Sequence, residues 1–185
     1  MNRIMVLGAL LCAVSLSFAH KIRVDFDRGV NFSHYKTYSW TRPAGALPAD
    51  ALFPNQLMQE RIASFVDQAV GCRGVKRVAS GGDLLVSYRM SVTAVPHYVT
   101  FYDGGPGFGW GDGWGWNGGF STTTVQTIYE GTLIVDMVDA RHNQLVFEGT
   151  STRTISSRPE RNTKKLDKAV REVFEKYPGQ PKSAG

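Results

Sequence analysis

Cysteine is almost missing from this chain, with two in 185 residues. Cys12 lies inside an apolar N-terminal stretch, so Cys72 has no partner once that stretch is removed, and neither an internal disulfide nor a cysteine-based zinc site is expected. Histidine is as sparse. His20, His34, His97 and His142 are scattered with no pair at ligand spacing, so each reads as a surface residue and no metal is expected. Beyond residue 19 no apolar run approaches the ~20 residues that cross a bilayer, so no transmembrane helix is expected there. Blocks of like charge are missing too. Lys and Arg total 21 against 16 Asp and Glu, a net charge of +5, without the basic tract that a nucleic-acid partner would call for.

Reaction centres are equally scarce. No G-x-S-x-G elbow occurs, and Ser151, in Gly149-Thr150-Ser151, falls on an expected strand without a nearby base. Asp25 with Asp27, and Asp136 with Asp139, are the carboxylate pairs on offer. The first two share one strand face where solvation is the ordinary outcome, and Asp139 reads as a turn former. Gly113 to Gly118 satisfies G-x-G-x-x-G but opens no helix, so no dinucleotide is expected. Gly104-Gly105-Pro106-Gly107 begins like a calcium-binding repeat, yet Gly109 stands where aspartate is needed. No cofactor and no catalytic residue are assigned.

What the chain does contain starts with an export signal. A basic start with Arg3, an apolar run from Ile4 to Leu16 and the small-residue site Ser17-Phe18-Ala19 make residues 1–19 a secretion signal, with His20 as the first mature residue. Removal leaves 185 − 19 = 166 residues and a net charge of 20 − 16 = +4, enough for one compact domain over 20–179 followed by a disordered tail, 180–185. Cys12 follows Leu10-Leu11, a poor context for lipid attachment, so an unlipidated product is expected. Cys72 is read as a small apolar residue near a helix end.

Met58, Ile62, Phe65, Val66 and Ala69 repeat at helical spacing, and so do Leu166, Val170, Val173, Phe174 and Tyr177. Pro54 and Gly71 bound the first helix. Asn162 or Thr163 caps the second and Pro178-Gly179 stops it. Phe65 and Phe174 are both expected to face the sheet. The other regular segments alternate with period two: Ile22 to Phe26, Leu84 to Met90, the β-branched run from Thr122 to Val138, and Leu145 to Thr154. The element order β, β, α, β, long loop, β, β, α predicts an α+β, two-layer domain: a mostly antiparallel twisted sheet with both helices on one face.

The long loop is the most unusual segment. From Tyr102 to Phe120 nine of nineteen residues are glycine, and three of the four tryptophans stand there. Glycine loses the most backbone freedom on ordering and packs nothing, so this segment is expected as the tip of a hairpin between roughly Leu84 to Phe101 and Thr122 to Val138. Tyr102, Phe108, Trp110, Trp114 and Trp116 are the candidate binding residues, because flat apolar rings stack on sugars, lie in lipid headgroups or dock into a protein groove. The alternative is a loop folded back on its own sheet, with Trp40 the buried tryptophan in either case.

The segments VDFDRGVNFSHYKTYSW, RIASFVDQAVGCRGVKRVASGGDLLVSYRM and YEGTLIVDMVDARHNQLVFEGT, with a closing helix ending EKYP, resemble the bacterial envelope family catalogued as domain-of-unknown-function family 4136. The resemblance spans almost all of the mature chain. It implies an exported domain, often lipid-anchored in other members, with no assigned activity and no catalytic residues to carry over. The expectation is therefore a non-enzymatic interaction or structural domain of a Gram-negative periplasm, free or held at the outer membrane. A glycan-binding module or a cell-wall glycan hydrolase is the alternative. Its expected partner is an envelope protein, a glycan or a membrane surface met through the glycine/tryptophan loop.

Overall fold

The computed structural model describes residues 21–41, 56–103 and 120–179. The export signal, Pro54, most of the glycine/tryptophan loop and the tail lie outside them. In chain order the elements are β1 (Lys21–Phe26), β2 (Thr37–Trp40), α1 (Gln56–Gly71), β3 (Lys76–Arg77), β4 (Leu84–Asp103), β5 (Phe120–Asp139), β6 (Gln144–Thr154) and α2 (Pro159–Glu175). A single turn of 3-10 helix, Phe32–His34, joins β1 to β2. The strands form one open six-stranded sheet in the order β1-β6-β5-β4-β2-β3.

The α+β architecture expected from the pattern is the one observed. Period-two alternation places Leu84, Val86 and Tyr88 of β4, Leu133, Val135 and Met137 of β5, and Phe147 of β6 in the core. The helices cover that face. Phe174 of α2 stacks on Phe147 with ring centroids 5.7 Å apart, so it faces the sheet as expected. Contact there is close enough that a Cβ on Gly149 would lie 2.1 Å from Val173 Cγ1, which leaves no room for a side chain on β6.

Within this mostly antiparallel sheet β2 pairs with β4 and β3 in parallel, because the chain leaves β1 on one side of the sheet and re-enters beyond β4 on the other. Four local expectations are corrected. The α1 stripe is Met58, Ile62, Val66 and Val70; Phe65 and Ala69 are half-buried and, with Phe174, line the groove between the helices. The α2 helix begins about four to five residues early, at Pro159 with Arg158 as its cap, where the fixed proline φ suits a first helical position. Asn162 then lies inside the first turn and ties it down by accepting from Ser156 N and donating to Ser156 O, both at 2.7 Å. Finally, Cys72 is exposed just past α1 rather than packed. Trp40 is half-buried, with its ring nitrogen donating to Asp67 Oδ1 at 2.8 Å.

Candidate functional site

The hairpin of β4 and β5 is longer than the sheet that supports it. Its register is unbroken from Leu84↔Asp139 to Asp103↔Phe120. On one side β2 accompanies β4 as far as Val86, and on the other β6 accompanies β5 as far as Glu130. From Ala94↔Tyr129 outward the two strands pair only with each other, an arm of ten residue pairs that reaches roughly 30 Å at ~3.3 Å per residue.

The composition of the two strands explains why this arm is extended. Val92, Val95, Val99, Val125, Ile128 and a run of threonines are β-branched and favour extended backbone. Thr100 and Thr123 hydrogen-bond across the pair at 3.0 Å. The alternation that buries Leu84, Val86 and Tyr88 continues outward, so Tyr98, Tyr102, Val125 and Tyr129 lie on the same face as the helices. No described element covers them. Tyr98 is 67%, Phe101 60% and Tyr102 83% exposed, an apolar surface of the kind that marks contact sites.

Of the five residues expected to bind, Tyr102 is placed at the outer end of β4 and is exposed. Phe108, Trp110, Trp114 and Trp116 lie outside the described residues. The arm itself adds Tyr98, Phe101, Val125 and Tyr129, which the glycine-based reading passed over. Their signal was present as aromatic and β-branched residues on both faces of a strand with no matching helix stripe to cover them.

At the opposite end of the hairpin, Asn31, His34, Tyr35, Asp83, Asp139 and His142 line a polar hollow of about 290 Å³. Tyr35 donates to Asp139 Oδ2 at 2.8 Å, and Asp139 Oδ1 accepts from the backbone of Arg141 and His142 at 2.8 and 2.9 Å. Those backbone donors, His142 first, hold the Asp139 carboxyl well below the ordinary carboxylate range. Burial, then the bond to Asp139, pushes the Tyr35 hydroxyl up to about 12. Asp83 is lowered by the backbone N–H of Lys36, and it also accepts from Thr37 N and Oγ1, each at 3.0 Å. Both carboxylates accept from local donors and fasten the β5–β6 turn and the start of β2.

Asp27 and Asp136 also have local partners, although Asp136 Oδ1 is buried without one. Asp27 accepts from Gly29 N and Gln144 Nε2, and Asp136 pairs with Arg89 at 3.0 Å. Among the described residues no group of three His, Cys, Asp or Glu side chains is placed to hold a metal ion. Ser151 is 2% exposed and its hydroxyl lacks a partner; it lines a cavity of about 80 Å³ with Met58, Met90, Leu133 and Leu166, where the Lys165 ammonium donates to Thr154 O at 2.7 Å.

The arrangement is that of an open-sheet α+β domain carrying a long exposed β-arm. The chain belongs to the family described as Domain of unknown function (DUF4136), whose model matches residues 22–179. Among solved structures it is similar to a PDZ domain protein from Parabacteroides distasonis, at 11% identity and a TM-score of 0.55. That match covers 88% of this chain and 37% of the other, so the chain spans little more than a third of that protein. It is also similar to the PelC dodecamer from Paraburkholderia phytofirmans, at 13% identity and a TM-score of 0.50, covering 89% of this chain and 99% of that one. Both likenesses are of fold alone. No curated protein matches.

Proposed function

We propose that this chain is a non-enzymatic interaction or structural domain of the bacterial cell envelope, exported to the periplasm, which meets its partner through the arm and the glycine/tryptophan segment at its tip. The observation that carries this reading is the arm's exposure: Tyr98, Phe101 and Tyr102 present their rings to solvent beyond the last supporting strand. The backbone under these rings is already extended, so binding has only their few side-chain torsions to fix, which suits stacking on sugar rings or docking against a flat apolar surface. The carboxylates of the polar hollow are engaged in fastening turns, which favours a binding role over hydrolysis.

The test compares the full chain with a variant in which Asn-Gly replaces Pro96–Thr127. Both are incubated with purified peptidoglycan sacculi, with anionic phospholipid vesicles and with an envelope extract, then sedimented or captured. Retention of the full chain but not of the truncated one supports the proposal, and the sacculus experiment alone decides the narrower glycan-binding reading. Equal retention of the two, or retention of neither by any of the three, overturns it. Mass spectrometry of the exported protein checks the compartment: a chain starting at His20 is expected, and one that keeps Met1 removes the envelope from the proposal.

A further inference from the structure

Each strand edge of this sheet is a row of backbone donors and acceptors, and most of the described edges are guarded. The edge strand β1 bears the charged side chains Lys21, Arg23 and Asp25, and β3 is two residues long, Lys76 and Arg77. Charge and shortness are ordinary protections against edge pairing. The two edges of the arm differ from each other, and their polarity can be worked out. Val86 O accepts from Thr41 N on the β2 side at 2.9 Å, so even-numbered residues of β4 turn their backbone groups away from β5. The β4–β5 register holds without a shift, which puts Pro96 on the outer edge of β4, where it removes a donor.

On the other side, Tyr129 O accepts from Ile155 N at 2.7 Å, so odd-numbered residues of β5 point away from β4. Past that bond, Thr127, Val125, Thr123 and Ser121 present N–H and C=O groups to which no described strand pairs. From Phe120 to Tyr129 this edge holds no charged residue, no proline and no glycine. Of the arm's two edges it is the longer free one, since beyond Pro96 the β4 edge offers only Tyr98, Thr100 and Tyr102.

We infer that the arms of two copies of this chain pair antiparallel through the β5 edge, Ser121 to Thr127, making a four-stranded ribbon about a two-fold axis. An antiparallel edge is complementary to itself under such an axis, with odd residues of one copy facing odd residues of the other. Two copies of the mature chain, with net charge +4, repel, and this neutral stretch lets them meet without like charges opposed; an acidic partner finds no cation there to recognise. A lone two-stranded ribbon is marginal in water, whereas four strands give each β5 a second ladder. The arm also centres the contact about 16 Å from the body, at ~3.3 Å per residue from Tyr129 to Thr124, leaving space for both domains. The inference rests on the arm as the interacting element but not on the tip or on any glycan.

Sedimentation velocity at concentrations up to about 100 µM, weak on the scale of stable complexes, tests it. The full chain is expected to sediment at twice the monomer mass. Val125→Pro removes an outward-pointing N–H and leaves the β4–β5 ladder intact, so it should halve that mass with an unchanged circular-dichroism melt. Thr123→Lys with Val125→Lys, which sets like charges against each other across the axis, should do the same and serves if the proline variant fails to fold. A monomeric full chain, or a dimer that survives all three substitutions, overturns the inference, as does pairing with an unrelated strand in place of a second copy. Sacculus and vesicle binding measured on the same variants separates the two readings: a monomer that still binds refutes the dimer alone, and a dimer that binds nothing refutes the proposed function alone.

Discussion

Replacing Pro96–Thr127 by Asn-Gly removes the outer arm and everything it carries, and the change in stability follows from the geometry. Val95↔Ile128 becomes the closing pair. Odd residues of β4 face β5, so this pair is hydrogen-bonded, as a two-residue Asn-Gly turn requires. Among the described side chains lost with the arm, the large apolar ones Tyr98, Phe101, Tyr102 and Val125 are each more than half exposed. Full burial of one such side chain contributes about 1.5 to 3 kcal/mol, so these contribute a fraction of that, and ordering each ribbon residue costs about 1 to 2 kcal/mol of backbone entropy. The two effects oppose each other. The net change is expected to lie within about 1 kcal/mol, or about 2 to 4 °C in the melting midpoint of a domain this size. Urea unfolding followed by circular dichroism is the assay, at low concentration so that any self-association does not contribute. A loss of several kcal/mol, or an unfolding transition that becomes broad, would refute the reasoning, because the arm would then be packed on the body.

Three further outcomes are expected. Gly149→Ala places a methyl 2.1 Å from Val173 Cγ1 and should cost about 1 to 3 kcal/mol in urea unfolding, with part recovered by adding Val173→Ala; an unchanged midpoint would show that α2 does not press on β6 there. Asp139 is depressed in the fold, so its contribution is present above the ordinary carboxylate pKa of ~4 and disappears as pH falls through the lower folded value. The stability gap between the natural chain and Asp139→Asn should therefore shrink in acid, and a gap independent of pH down to 2 would contradict it. Tyr35 is shifted the other way: its contribution is complete below pH ~10 and is lost as pH rises through about 12, so Tyr35→Phe should flatten the alkaline limb of the stability curve.

Periodicity carried most of the fold into view. Alternation in Leu84 to Met90 and Thr122 to Val138 marked the central hairpin, and the spacing of Val170, Val173 and Phe174 marked the buried side of α2. Such patterns are local, because the side-chain repeat of a strand or helix is set by its own backbone. The family was legible for the same reason. Other features depend on residues that only the tertiary fold brings together. Tyr35 meets Asp139 across 104 positions of chain. The parallel pairing of β2 with β4 depends on where the chain crosses the sheet, which no repeat records. Glycine content drew attention to the tip of the hairpin, whereas the exposure of Tyr98, Phe101 and Val125 follows from β2 and β6 ending before β4 and β5 do. Which edge of that arm is open depends on the direction of each backbone group, set by hydrogen bonds to neighbouring strands at Thr41 and Ile155. A strand's sequence determines which side chains share a face; only its neighbours determine which of its edges is left to pair.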